Sequence, residues 1–163
     1  MKKAVGIVTV LLLFVATNSF AFQFEDYEWG MKNEDVFEKL VLKAKSMERP
    51  PDSTKIVYSD ELLGNPCDVT FEFTPETNQL AAVSVWWADS GKIELELMET
   101  LNIKYGEAVK NQGGHLYTWG GSLDVNDMIT YDREYGAAIL KYHSEKYCKK
   151  AEEERKQLDL KEL

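Results

Sequence analysis

Strand-like runs joined by connections too short for a crossover constrain this chain more than any other feature. Residues 68–74 alternate cleanly, with Val69, Phe71 and Phe73 on one side and Thr70, Glu72 and Thr74 on the other. Successive side chains of a strand point to opposite faces, so this pattern reads as a half-buried strand. Thr74-Pro75-Glu76-Thr77-Asn78 reads as a turn, and the β-rich run 80–87 follows it, which predicts a hairpin. Further runs stand at 55–59, 115–119, 127–131 and 136–143, and the loop 132–136 joins the last two as a second hairpin. Parallel strands need a connection of about a dozen residues or more, so a parallel α/β arrangement does not fit.

A helix precedes each set of strands. The first opens near Asn33, a capping residue followed by Glu34 and Asp35, which suit the positive end of the helix dipole. Val36, Phe37, Leu40, Val41, Ala44 and Met47 recur at helical spacing, and Arg49-Pro50-Pro51 stops the helix. The second runs over about 92–105, capped by Asp89 or Ser90, with Ile93, Leu97, Leu101 and Tyr105 as its apolar stripe and Gly106 as its stop. The order is helix and three strands, twice, and 81–87 aligns with 137–143 as the third strand of each unit. The expected fold is α+β: two layers, an antiparallel sheet of about six strands with two helices on one face, a possible tandem αβββ repeat, and a C-terminal helix. Residues 144–163 form that charged helical tail, laced with pairs such as Glu152/Lys156.

The N-terminus reads as an export signal. Met1-Lys2-Lys3 is positive, residues 5–16 are nearly all apolar, and Ser19 and Ala21 supply the small side chains of a cleavage site between Ala21 and Phe22. The apolar run is shorter than the ~20 residues of a membrane-spanning helix. The expected organisation is a signal peptide at 1–21, one domain at 22–143 and the tail at 144–163. The expected location is the periplasm of a Gram-negative bacterium, with secretion as the alternative, and no membrane span after signal removal.

Net charge and cysteines narrow the function classes. The chain carries 19 basic and 28 acidic residues; Lys2 and Lys3 leave with the signal, so the mature net charge is −11. Nucleic acids are bound through basic patches, so no nucleic-acid partner is expected. Cys67 and Cys148 form an even pair, which in an oxidising compartment predicts one disulfide.

Two local patterns carry a resemblance. Phe24-x4-Trp29-Gly30-Met31-x4-Val36, together with Leu101-x2-Lys104-Tyr105-Gly106 and Tyr117-x-Trp119, resembles a group of uncharacterised exported bacterial proteins of similar length. The Gly-Met-x4-Val opening is similar to that of the BamE-type outer-membrane assembly lipoproteins. The tandem helix-plus-strands plan looks like that of the β-lactamase inhibitor proteins. The latter two imply protein–protein binding without chemistry, and none of these likenesses brings a catalytic residue or a cofactor.

No catalytic or metal motif stands out. His115 and His143 each sit at a strand end, and although Ser122, His115 and Asp124 could be assembled into a triad, any acidic protein offers such sets. Asp124-x-Asn126-Asp127 lacks the turn glycine and closing glutamate of a calcium loop. The aromatics are more informative. Trp86 and Trp87 are adjacent in one strand and must point to opposite faces. Trp86, Trp87, Tyr117, Trp119, Tyr131 and Tyr142 are therefore the candidate interaction surface. The leading expectation is a non-enzymatic module that binds a protein or envelope component through an open sheet face, with no cofactor and no metal. The alternative is a small-ligand binder using an aromatic pocket; a hydrolase-type enzyme comes third.

Overall fold

The computed structural model describes residues 26–42, 46–48, 54–111, 113, 115–120 and 127–161. The expected signal and its cut site at Ala21 and Phe22 lie outside the described residues, as do Ser122 and Asp124. The chain is α+β. In order it runs α1 (Asn33–Val41), β1 (Ser46–Glu48), β2 (Lys55–Leu62), β3 (Asn65–Phe73) and β4 (Leu80–Trp87). After a 3-10 turn (Ser90–Lys92) come α2 (Glu94–Tyr105), β5 (Val109–Lys110), β6 (Leu116–Gly120), β7 (Asp127–Glu134), β8 (Ala137–Ser144) and α3 (Glu145–Lys161). All eight strands form one antiparallel sheet in the order β1-β2-β3-β4-β8-β7-β6-β5.

The sheet is built as two like halves. Each half is a helix followed by four strands in a meander, and the halves meet where β4 pairs β8. The two strands beyond the expected six are the short outer ones, β1 and β5. The alignment of 81–87 with 137–143 is out of step by one residue. It sets Val83 against Ile139, whereas the face that buries Val83, Val85 and Trp87 in β4 buries Ala138, Leu140 and Tyr142 in β8. A slip of one residue exchanges the faces of a strand, so the halves correspond only after that shift.

One face of the sheet carries the hydrophobic core. Ile56 and Tyr58 of β2, Cys67, Val69, Phe71 and Phe73 of β3, and Ile129 and Tyr131 of β7 lie in register with the core positions of β4 and β8. Val36 and Leu40 of α1, and Leu97 and Leu101 of α2, belong to the same cluster. Burial of each such side chain is worth about 1.5–3 kcal/mol, which is what holds the short helices in place.

The first helix is shorter than its periodicity predicts. Val36 and Leu40 are buried, but Val41 and Leu42 are exposed, and Met47 belongs to β1, paired with Tyr58. Backbone pairing with the outer edge of β2 takes over where the apolar stripe no longer meets the core. Asn33 is not the cap either: Lys32 holds the extended cap backbone, and Asn33 is buried with its N–H donating to the Asn78 carbonyl. The second helix lies where predicted and Gly106 ends it at φ +86°, but its cap differs: Asp89 accepts from the Gly91 N–H and so caps the 3-10 turn, while α2 itself starts after Ile93 with no side-chain cap.

The predicted disulfide is absent: both cysteines are free. Cys67 lies on the core face of β3, in step with Val69 and Phe71. Cys148 lies in α3, with its Sγ 3.7 Å from the Ala81 carbonyl oxygen. Ala81 is close to the far end of β3, since Leu80 pairs with Phe73, six residues along from Cys67. At about 3.3 Å per residue the two thiols are much too distant for the ~5–6 Å Cα spacing of a disulfide.

The tail is a docked helix. Ala151 and Glu154 are buried, and Lys150 Nζ donates to Gln79 Oε1 at 2.6 Å. No helix among the described residues is long and apolar enough to cross a membrane.

Candidate functional site

Alternation along the strands separates the six candidate aromatics. Trp87, Trp119, Tyr131 and Tyr142 are buried on the core face, and Tyr117 is half-buried against the same cluster. Trp86 alone points the other way and is 43% exposed. The six therefore share no single surface. Trp119 is held from above by α2: its Nε1–H donates to Asn102 Oδ1 at 2.9 Å, and the same oxygen accepts from the Ala108 N–H at 3.2 Å. Asn102 carried no sequence signal, because its role depends on where α2 crosses β6. Tyr117 and Tyr131 sit with ring centroids 6.0 Å apart. Burial, followed by the nearby Glu94 carboxylate, pushes the Tyr131 phenol up to about 12.

Between α2 and the core face lies a cavity of about 400 Å³. Its floor is the seam where the two halves join: Val85 and Trp87 from β4, Leu140 and Tyr142 from β8. Its roof is one side of α2, where Leu97, Leu101 and Tyr105 face inward and Thr100 and Lys104 reach the rim. Its end wall is Leu62 and Leu63, at the turn between β2 and β3. The walls are largely apolar with a few polar groups, and the size falls in the ~300–1,000 Å³ range of small-molecule pockets.

Three details of this cavity bear on binding. The Trp87 indole N–H is buried and has no hydrogen-bond partner among the described residues. A buried donor left unpaired costs about 1–3 kcal/mol, a cost borne by the folded protein itself. Leu63 holds a left-handed backbone at φ +53°, a conformation costing about 1–2 kcal/mol for a residue with a side chain. It is kept there by packing against the core and by Asn65 Nδ2, which donates to the Leu63 carbonyl at 2.7 Å. The Tyr142 phenol is held well above its ordinary range by burial and then by Tyr105, so it stays a neutral hydroxyl.

A second, more polar cleft of about 330 Å³ runs beneath α3 on the opposite face. Ala81, Ala82 and Ala151 leave the space, and Glu72, Lys141, His143, Cys148, Glu152 and Arg155 line it. Glu72 lies 3.7 Å from Lys55 and 3.9 Å from Lys141. Burial pushes the Cys148 thiol up, which keeps it protonated and a poor nucleophile. His143 Nδ1 is buried with no hydrogen-bond partner among the described residues, and no hydroxyl lines the cleft. Nucleophile, base and orienting group therefore do not converge there. Of the calcium-like stretch only Asp127 is described, and no three His, Cys, Asp or Glu among the described residues converge on a point that could hold a metal ion.

No protein family, curated protein or solved structure that was compared with the chain matches it.

Proposed function

We propose that this is an exported binding protein that works without chemistry, taking an apolar group into the cavity between α2 and the seam of the sheet. The observation that carries the reading is the cavity itself: about 400 Å³ with largely apolar walls from Val85, Trp87, Leu97, Leu101, Leu140 and Tyr142. Such walls give an apolar ligand contact area, with the polar groups of Thr100 and Lys104 beside them. The export signal at 1–21 puts the activity in the periplasm or outside the cell.

The neutral fluorescent probe phenylnaphthylamine tests this. It should bind with enhanced emission. Thr100→Trp, placed on the exposed rim of α2, should weaken that binding at least about tenfold, because the new ring obstructs the mouth. Binding unchanged by Thr100→Trp, or no binding at all, would remove the pocket as the functional site.

One observation favours a second reading, in which a protein or envelope component docks on the other face of the sheet. Trp86 is half-exposed there beside its cross-strand neighbour Ile139. Under this reading Trp86→Ala weakens capture of an envelope partner and leaves phenylnaphthylamine binding intact.

A further inference from the structure

The charge of the pocket is the reverse of the charge of the chain. The protein has more acidic than basic residues, yet among the described residues lining the pocket there is no carboxylate and one charged group, Lys104. Lys104 is at the rim, with Nζ 4.9 Å from the Tyr105 ring centroid, and it forms no ion pair with any described residue. Apolar walls with one unpaired cation at the rim and no anion of their own reject a cation and accept a group that brings its own acceptor.

We propose that the ligand is an amphipathic monoanion: an apolar chain or ring carrying one carboxylate, its apolar part against Val85, Leu97 and Leu140 and its carboxylate at Lys104. This rests on the pocket being the binding site and adds the class of molecule it takes. An exposed lysine alone is worth little in water, but here the partner would be fixed at the edge of an apolar cavity, and the ring of Tyr105 restricts the ammonium.

Competition against phenylnaphthylamine with three ligands of equal chain length, decanoate, decanol and decylamine, reads the class directly. Decanoate should displace the probe at about fivefold lower concentration than decanol, with decylamine weakest. Lys104→Gln should erase the difference between decanoate and decanol, and Lys104→Arg should keep it. Lys146→Gln, the same charge change on α3, should not affect it. Equal displacement by decanoate and decanol, or a preference that survives Lys104→Gln, overturns the anion assignment while leaving the pocket in place. If the probe itself fails to bind, or binds unaffected by Thr100→Trp, both the pocket and the ligand class fall.

Discussion

Glu154 of α3 closes around Thr77 in the turn between β3 and β4. Its Oε1 accepts from the Thr77 hydroxyl at 2.6 Å, and its Oε2 accepts from the Glu76 and Thr77 N–H groups at 2.7 and 3.2 Å. Lys150 lies 3.8 Å away on the same helix. Glu154 is only 6% exposed, so this is a buried side chain whose carboxylate is answered by donors from another element. With the Lys150–Gln79 and Lys161–Glu76 contacts, it ties the charged C-terminal segment to the domain.

The pH response of that contact has a definite sign. Burial opposes the charged form of Glu154, but the Thr77 hydroxyl and the two backbone N–H groups outweigh it and hold the carboxyl below its ordinary 4.5. A carboxyl depressed in the folded state adds stability above its unfolded value and loses it as pH falls through the folded one. Glu154→Ala should therefore lower stability at neutral pH by about 2–3 kcal/mol, the cost of losing charge-assisted bonds and stranding their donors. The gap between mutant and wild type should close in acid, below about 4.5. Urea melts at several pH values check this; a gap that does not vary with pH would show that packing, not the charge, holds α3.

The two thiols should behave as separate groups of unequal access. Cys67 is buried in the core, and burial pushes its thiol up to about 11, whereas Cys148 is half-buried at the edge of the cleft under α3. Intact mass should be the same with and without reductant. Iodoacetamide should modify Cys148 slowly in the native protein and both cysteines in denaturant. A mass two hydrogens lighter without reductant would overturn this arrangement of β3 and α3.

The turn joining β7 and β8 offers substitutions of opposite sign at neighbouring positions. Tyr135 and Gly136 take φ of +51° and +87° between paired strand ends, and the Tyr135 side chain is fully exposed. Tyrosine has nothing to pack against there and is poorly suited to a left-handed backbone, which asparagine tolerates well. Tyr135→Asn should stabilise the protein by about 0.5–1 kcal/mol. Gly136→Ala should destabilise it by about 1 kcal/mol or more, through backbone strain alone, since a Cβ there would meet nothing within 4 Å. Thermal melts of the two variants give both signs in one experiment.

Strand pairing was readable wherever alternation ran into a short turn, as in β3 with β4 and β7 with β8. Cys67 lies one residue before that alternating run, and only the full extent of β3 puts it in step with Val69 and Phe71 on the core face. The position of Cys148 was not readable, because it depends on the direction in which α3 leaves β8, and helical periodicity in a mostly charged segment does not encode a docking direction. The strand β1 escaped notice because its three residues are strand only by pairing to the edge of β2. The pocket was hidden for a related reason. Each residue lining it reads as ordinary core, and the cavity exists only because α2 crosses the seam between halves at a particular height. Asn102 belongs with these: a polar residue on a helix gains its meaning from Trp119 on a distant strand.

The division of Trp86 from Trp87 gives the most direct test of the register on which the pocket depends. Trp87 is 2% exposed in the floor of the cavity, and its cross-strand neighbour is Ala138; Trp86 lies on the other face next to Ile139. Trp87→Ala should cost about 3–5 kcal/mol, as expected for emptying a fully buried indole site. Trp86→Ala should cost about 1 kcal/mol or less, since a half-exposed ring loses little on truncation. Iodide should quench the emission of Trp86 and spare that of Trp87, which single-tryptophan removal separates. If the two substitutions cost the same, or their order is reversed, β4 is paired one residue out of step. Val83 and Val85 would then leave the core face together with Trp87, and the seam between the halves could not form the pocket.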